Sequence, residues 1–199
     1  FLRWRTQILG EETPGRGAIP GLARGDDIYR LYNYPNPPIQ ALVLWPFAEL
    51  PPVAGALVWF YLKVGMAALI LVWAFRLAAD AGRPLPEWGK AAVVLLSLHP
   101  LLGDLSHGNV NIFIAFLVVG ALELVRRRRD AAAGVVLALA VACKVTPALF
   151  LPYFVWKGMW RLVAASVVGL GLWLVVVPGA VLGWEHNLTL LTGWFDGMA

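Results

Sequence analysis

His107, Asn109 and Asn111 interrupt an otherwise apolar stretch, LSHGNVNIFIAF (105–116), and Lys144 interrupts a second, CKVTPALFLP (143–152). Amides, an imidazole and an ammonium are costly in hydrocarbon unless they meet partners or water. Two readings are open at this level: membrane-surface loops whose polar groups cap helices, or the lining of a site. The flanking segments favour a site for an anion. Helices restarting at Asn109 or Asn111, with Asn as N-cap, and near Pro147, in a first-turn position, would direct their N-termini at one cavity. Helix N-termini favour negative charge, and Lys144 adds a full positive charge beside one of them. Phosphate is the foremost candidate. In the structural alternative, Lys144 snorkels to headgroups or caps a carbonyl.

The elements that must hold these residues are greasy. The chain is 60% hydrophobic and 14% charged, with a mean hydropathy of +0.71. A soluble domain is about 45–50% apolar and about 25% charged, so the bilayer is the expected solvent. The fold class predicted is all-α: a polytopic transmembrane helical bundle with broken and re-entrant helices. VAGALVWFYLKVGMAALILVWAFRLAA (53–79) and residues 162–182 are long enough to span. Residues 39–50, 91–102, 131–143 and 148–156 are shorter and would reach only part-way across about 30 Å of hydrocarbon. Non-helical backbone at such depth survives only inside protein or beside a wet cavity. His99-Pro100 is expected to end the 91–102 run, and Lys63 to reach an interface from within its span.

Three regions follow. Residues 1–52 form an extracytoplasmic loop with a short interfacial or re-entrant helix at 39–50 and another short helix near 2–9. Residues 53–182 form the membrane bundle, and 183–199 begin a further extracytoplasmic segment. The four arginines 126–129 are the clearest positive-inside signal. Placing them in the cytoplasm also places the 80–90 linker, Lys157 and Arg161 there. Residues 1–52, 107–111, 144–147 and 184–187 then share the opposite face.

Other functions find little support. The net charge of +4 is gathered at the ends of apolar runs, which suits lipid headgroups and excludes a nucleic-acid surface. Cys143, the single cysteine, rules out an intrachain disulfide and a cysteine-based metal site; it reads as a packing residue. Glu185 and His186 have no metal-ligand spacing, and Asn187-Leu188-Thr189 matches the glycosylation pattern, which is common by chance. Asp26 and Asp27 read first as a solvated turn.

Four stretches, in order, resemble glycosyltransferase family 87, integral-membrane enzymes of the GT-C type that use polyprenol-phosphate-mannose. GDDIYRLYNYPNPPIQALVLWPFAELP (25–51) resembles the family's Gly-Asp-x-Tyr, Tyr-Pro-Pro and following apolar segment; HGNVN (107–111) resembles Gly-Gln-x-Asn; CKVTPALFLP resembles Lys-x-x-Pro; RRRR and KGMWR fall at its cytoplasmic turns. The resemblance implies a hexosyltransferase, usually a mannosyltransferase, in the plasma membrane of a bacterium, with an extracytoplasmic site. The donor would be a polyprenyl-phosphate-linked sugar and the acceptor a lipid or glycan hydroxyl; no cofactor and no metal are implied. Transfer would invert the anomeric carbon with a carboxylate as general base. Carried over, Lys144 would hold the donor phosphate, and His107, Asn109 and Asn111 would contact phosphate or sugar. Tyr34, Pro37, Pro38 and Tyr29 would lie on the acceptor side. Asn109 stands where the family has Gln, and Asn36 is inserted into Tyr-Pro-Pro. The family's catalytic Asp is expected immediately before Phe1, in a chain read as truncated at both ends. Asp26 and Asp27 are the remaining candidates within it. Two other readings stand beside this one: a transporter or flippase for an anionic lipid or solute, whose broken helices would meet near mid-membrane, and a structural membrane subunit.

Overall fold

Two long helices set the span of the molecule, and shorter ones fill the space between them. A computed structural model describes residues 17–32, 34–80, 82, 85–107 and 109–197; the helix expected near residues 2–9 lies outside them. The elements are α1 (Ala18–Ala23), α2 (Ile28–Tyr32), α3 (Pro38–Ala48), α4 (Pro52–Asp80), α5 (Glu87–His107), α6 (Asn111–Arg126) and α7 (Asp130–Cys143). After a 3-10 turn (Thr146–Leu149) come α8 (Phe150–Trp156), α9 (Trp160–Gly171), a π-helical turn (Leu172–Val176), α10 (Val177–Leu182) and α11 (Trp184–Asp196). Among the described residues there is no strand, so the all-α expectation holds. Residues Pro52–Ala79 and Trp160–Leu182 are long and apolar enough to cross a membrane.

The short helix expected over 39–50 is α3, opened by Pro38 at a position where its missing N–H costs nothing. The break expected at His99-Pro100 does not occur. Helix α5 runs 21 residues straight through Pro100 to His107. A proline removes one backbone bond and crowds one carbonyl, which helices in an apolar bundle tolerate where neighbours re-satisfy the backbone.

Side-chain contacts give the directions of the helices. Trp59 of α4 meets Phe113 of α6, and Trp73 stacks on Phe116 at 5.3 Å and lies against Gly120; residue numbers rise together, so α4 and α6 are parallel. Helix α7 folds back along α6, because Lys144 at its end reaches Asn111 at the start of α6. Gly134 of α7 faces Leu162, Ala165 and Ser166 of α9, and Ala138 faces Gly169, so α7 and α9 are parallel, with α8 as the return stroke. The ends of α4 and α6 and the starts of α7 and α9 therefore point the same way. Arg126–Arg129 and Arg161 gather at that end.

The turn at that end is fixed by charge. Glu123, 3% exposed, accepts from Arg126 at 2.6 Å and from Arg127 at 2.8 Å. Arg128 takes a left-handed φ of 60° and closes the turn, with Arg129 N–H donating to the Leu124 carbonyl.

Helices α7 and α9 make the tightest seam. A Cβ at Gly134 would meet the Leu162 carbonyl, and one at Gly169 would sit 2.7 Å from Ala138 Cβ. Small residues let the backbones approach where lipid supplies no hydrophobic drive. Ser166 Oγ adds a bond to the Gly134 carbonyl at 3.1 Å.

Farther along, Pro178 has no N–H to give the Leu174 carbonyl, and the π turn lies just before it. The Asn187 side chain, fully buried, donates to the Leu174 carbonyl at 3.1 Å. The asparagine of the glycosylation pattern at 187–189 is thus buried, although Leu188 and Thr189 are exposed: it repairs a helix.

Candidate functional site

Helix α6 starts well below the rim of α4. Lys63 lies eleven residues past Pro52, about 16 Å along the axis at 1.5 Å per residue, and its Nζ is 3.2 Å from the Asn109 carbonyl. The α5–α6 turn and the end of α7 therefore lie below the start of α4.

Two lysines occupy this recess in different ways. Lys63 is 1% exposed and does not reach an interface, contrary to the sequence expectation. Its Nζ donates to the Asp104 carbonyl at 2.9 Å and lies 3.5 Å from Asp104 Oδ2. Lys144 is partly exposed, ends α7 in an extended conformation, and donates to Asn111 Oδ1 at 2.7 Å. It makes no ion pair among the described residues, so its charge faces a neutral amide and two donor positions stay open.

Asn109 and Asn111 are both exposed on this ledge. Neither is the N-cap of α6. That position is Val110, without a side-chain cap bond, and the Ile112 N–H is instead taken by Asp104 Oδ2 at 3.4 Å. A protein carboxylate already occupies the positive end of α6, and among the described residues of the ledge Lys144 is the cation open to an outside anion. His107 is the last residue of α5; its side chain and Gly108 lie outside the described residues.

Asp104 carried a signal that sequence reading passed over. A lysine buried in a spanning helix needs a carboxylate or carbonyls, and Asp104 is the acid nearest the His-Gly-Asn break.

A polar arch stands near this ledge. Tyr34 Oη donates to Gln40 Oε1 at 2.9 Å, Tyr29 Oη to the Asn36 carbonyl at 2.8 Å, and Trp194 Nε1 to the Pro35 carbonyl at 3.3 Å. The inserted Asn36 thus supplies an acceptor that fixes Tyr29. Burial pushes the Tyr34 phenol up, and the charge of Cys143, the residue that precedes Lys144, adds to the push. Pro37 and Pro38 are buried under the arch at the start of α3.

Asp26 and Asp27 have local tasks. Asp27 Oδ1 accepts from the Tyr29 and Arg30 amides and opens α2. Asp26 Oδ2 accepts from Arg24 and from Tyr32 Oη.

Between α3 and the π region runs an apolar groove of about 660 Å³, lined by Ile39, Val43, Trp45, Trp173, Val177 and Val181 among others. Glu49 at its edge accepts from Trp45 Nε1 at 2.7 Å. Among the described residues no group of acids, histidines and cysteines could hold a metal ion.

Comparison with known proteins bears on this geometry. The sequence profile of glycosyltransferase family 87 matches residues 34–198. A protein of Mycolicibacterium smegmatis named polyprenol-phosphate-mannose-dependent alpha-(1-2)-phosphatidylinositol mannoside mannosyltransferase is 30% identical over 112 residues, 53% of this chain. That match covers 24% of the relative's length. No solved structure matches. The matched span takes in Tyr34, the recessed ledge and Lys144, and it covers more than half of the chain: the protein belongs to glycosyltransferase family 87.

Proposed function

We propose that this chain is part of a membrane glycosyltransferase that moves a mannosyl group from a polyprenyl-phosphate donor to a hydroxyl of a lipid or glycan acceptor. The observation that carries the proposal is Lys144: a partly exposed ammonium on a recessed polar ledge, bonded among the described residues to the neutral Asn111 amide. The relative named for a polyprenol-phosphate-mannose-dependent mannosyltransferase supports the donor class, and the apolar groove of about 660 Å³ suits a lipid-linked substrate. The arginine-rich end is assigned to the cytoplasm by the positive-inside rule. The ledge then opens toward the extracytoplasmic side.

In the proposed reaction the acceptor hydroxyl gives its proton to a carboxylate base and its oxygen attacks the anomeric carbon. The bond from that carbon to the phosphate oxygen breaks on the opposite side, and configuration inverts. The phosphate leaves with the electron pair, and Lys144 stabilises the charge it gains. Asn109 and Asn111 hold phosphate or sugar, with His107 beside them. The base is assigned to a carboxylate outside the described residues, since Asp26 and Asp27 serve the α1–α2 turn.

Membranes containing the full-length protein, given labelled polyprenyl-phosphate-mannose and acceptor lipids, test this directly. Transfer is expected, and Lys144→Ala should lower it by about 100-fold or more. Movement of the lipid across the bilayer without any sugar transfer would replace this reading with the transporter one.

A further inference from the structure

The contacts around Lys63 leave it no capacity for a ligand. An ammonium has three donors, and here they meet the Asp104 carbonyl at 2.9 Å, the Asn109 carbonyl at 3.2 Å and the Asp104 carboxylate at 3.5 Å. Asp104 O is among the last four carbonyls of α5, which have no partner within the helix. Asn109 O belongs to the turn. The Asp104 carboxylate, 7% exposed, in turn receives the Ile112 N–H from the first turn of α6. One buried pair thus ties the end of α5, the turn and the start of α6 to the wall of α4.

We propose that Lys63 and Asp104 are positioning residues for the donor-phosphate ledge: together they fix the depth and register of the α5–α6 turn, so that Asn109 and Asn111 stand opposite Lys144, and Lys63 itself never touches the phosphate. This rests on reading the ledge as the donor site. The alternative, that Lys63 is a second phosphate cation, requires it to abandon two carbonyls and strand a buried carboxylate. A pair that served stability alone would be replaceable by apolar residues of similar volume, since ion pairs of this kind often contribute little net stability.

The test uses the full-length protein in nanodiscs. Lys63→Met and Asp104→Asn each leave one uncompensated group and are expected to lower the melting temperature and transfer together. The informative variant is the double change Lys63→Met with Asp104→Leu. It removes both buried charges and is expected to regain part of the melting temperature lost by the single variants, while kcat stays at least tenfold down, donor KM rises severalfold and acceptor KM is unchanged. A second readout needs no activity. With Cys143→Ala, Asn111→Cys and Lys144→Cys, a short bifunctional thiol reagent should bridge positions 111 and 144, and adding the double change should cut the yield at least threefold.

A folded double variant with wild-type transfer and bridging would overturn the proposal. So would Lys63→Met losing donor affinity alone while Asp104→Asn keeps it, because that marks Lys63 as a direct ligand. If the double variant fails to fold, Asp104→Glu takes its place: it keeps the pair with a longer arm, and unaltered bridging and transfer would count against positioning. Absence of transfer in the wild type, with bridging behaving as expected, would reject the transferase reading and leave the positioning of the turn intact.

Discussion

Lys144 and Asn111 join the end of α7 to the first residue of α6, with the ammonium 2.7 Å from the amide oxygen. Helices α6 and α7 are antiparallel neighbours, so the bond sits at the open end of their hairpin. A neutral acceptor holds the side chain without cancelling its charge. The outer lysine is therefore positioned without an acidic partner among the described residues, while Lys63 is paired with Asp104.

That difference can be measured. Asn111→Asp supplies Lys144 with a carboxylate and should raise the donor KM roughly tenfold, equivalent to about 1.4 kcal/mol, with little change in melting temperature. Steady-state kinetics against labelled polyprenyl-phosphate-mannose checks it. An unchanged KM would mean that Lys144 does not contact the donor.

The α7–α9 seam predicts intolerance of volume. Gly134→Val places methyl groups against the Leu162 carbonyl, Ala165 and the Ser166 amide. Overpacking of this sort costs about 1–3 kcal/mol. Thermal unfolding of the full-length protein in detergent should show a clear drop, while Gly171→Ala, where a Cβ meets nothing within 4 Å, should be neutral.

Asn187 should be needed for structure and closed to modification. Asn187→Leu leaves the Leu174 carbonyl without its donor at Pro178, and an unsatisfied buried group costs about 1–3 kcal/mol. A lower melting temperature is expected. In a host that glycosylates secreted proteins, the mass should stay unmodified at this residue once the protein has folded.

Arg128 offers a stabilising change. Its φ of 60° is strained for a residue with a Cβ, by about 1–2 kcal/mol, and glycine removes the strain. Arg128→Gly should raise the melting temperature, provided Arg126 and Arg127 keep their bonds to Glu123. Arg128→Val should lower it.

Much of this arrangement was legible in the residues. Apolar length announced α4 and the 160–182 helix, Pro147 marked a real start, and the interruptions at 107–111 and 144–147 do meet, through Lys144 and Asn111. Where reading failed, it failed on tertiary partners. Pro100 looked like a stop because local chemistry forbids one backbone bond, and nothing local shows that the helix continues regardless. Lys63 looked able to snorkel because its carboxylate is forty-one residues away. Asn187 showed no structural role in the sequence because the carbonyl it serves belongs to another helix. Asn109 and Asn111 looked like caps, and a side chain from α5 had taken that position.

The π turn at Leu172–Val176 sets the phase of the long helix. Below it, Leu162, Ser166 and Gly169 are turned to α7; above it, Pro178 and Gly179 are turned to α11, where Gly179 lies against the Trp184 ring. Each residue of an α-helix advances the face by about 100°, and a π turn holds one residue more than an α turn. Removing a single residue between 172 and 176 would restore an ordinary helix and swing the upper face away from Trp184 and Asn187. The two faces fit their neighbours only at this count, so the chain tolerates substitution in the turn far better than a change of length.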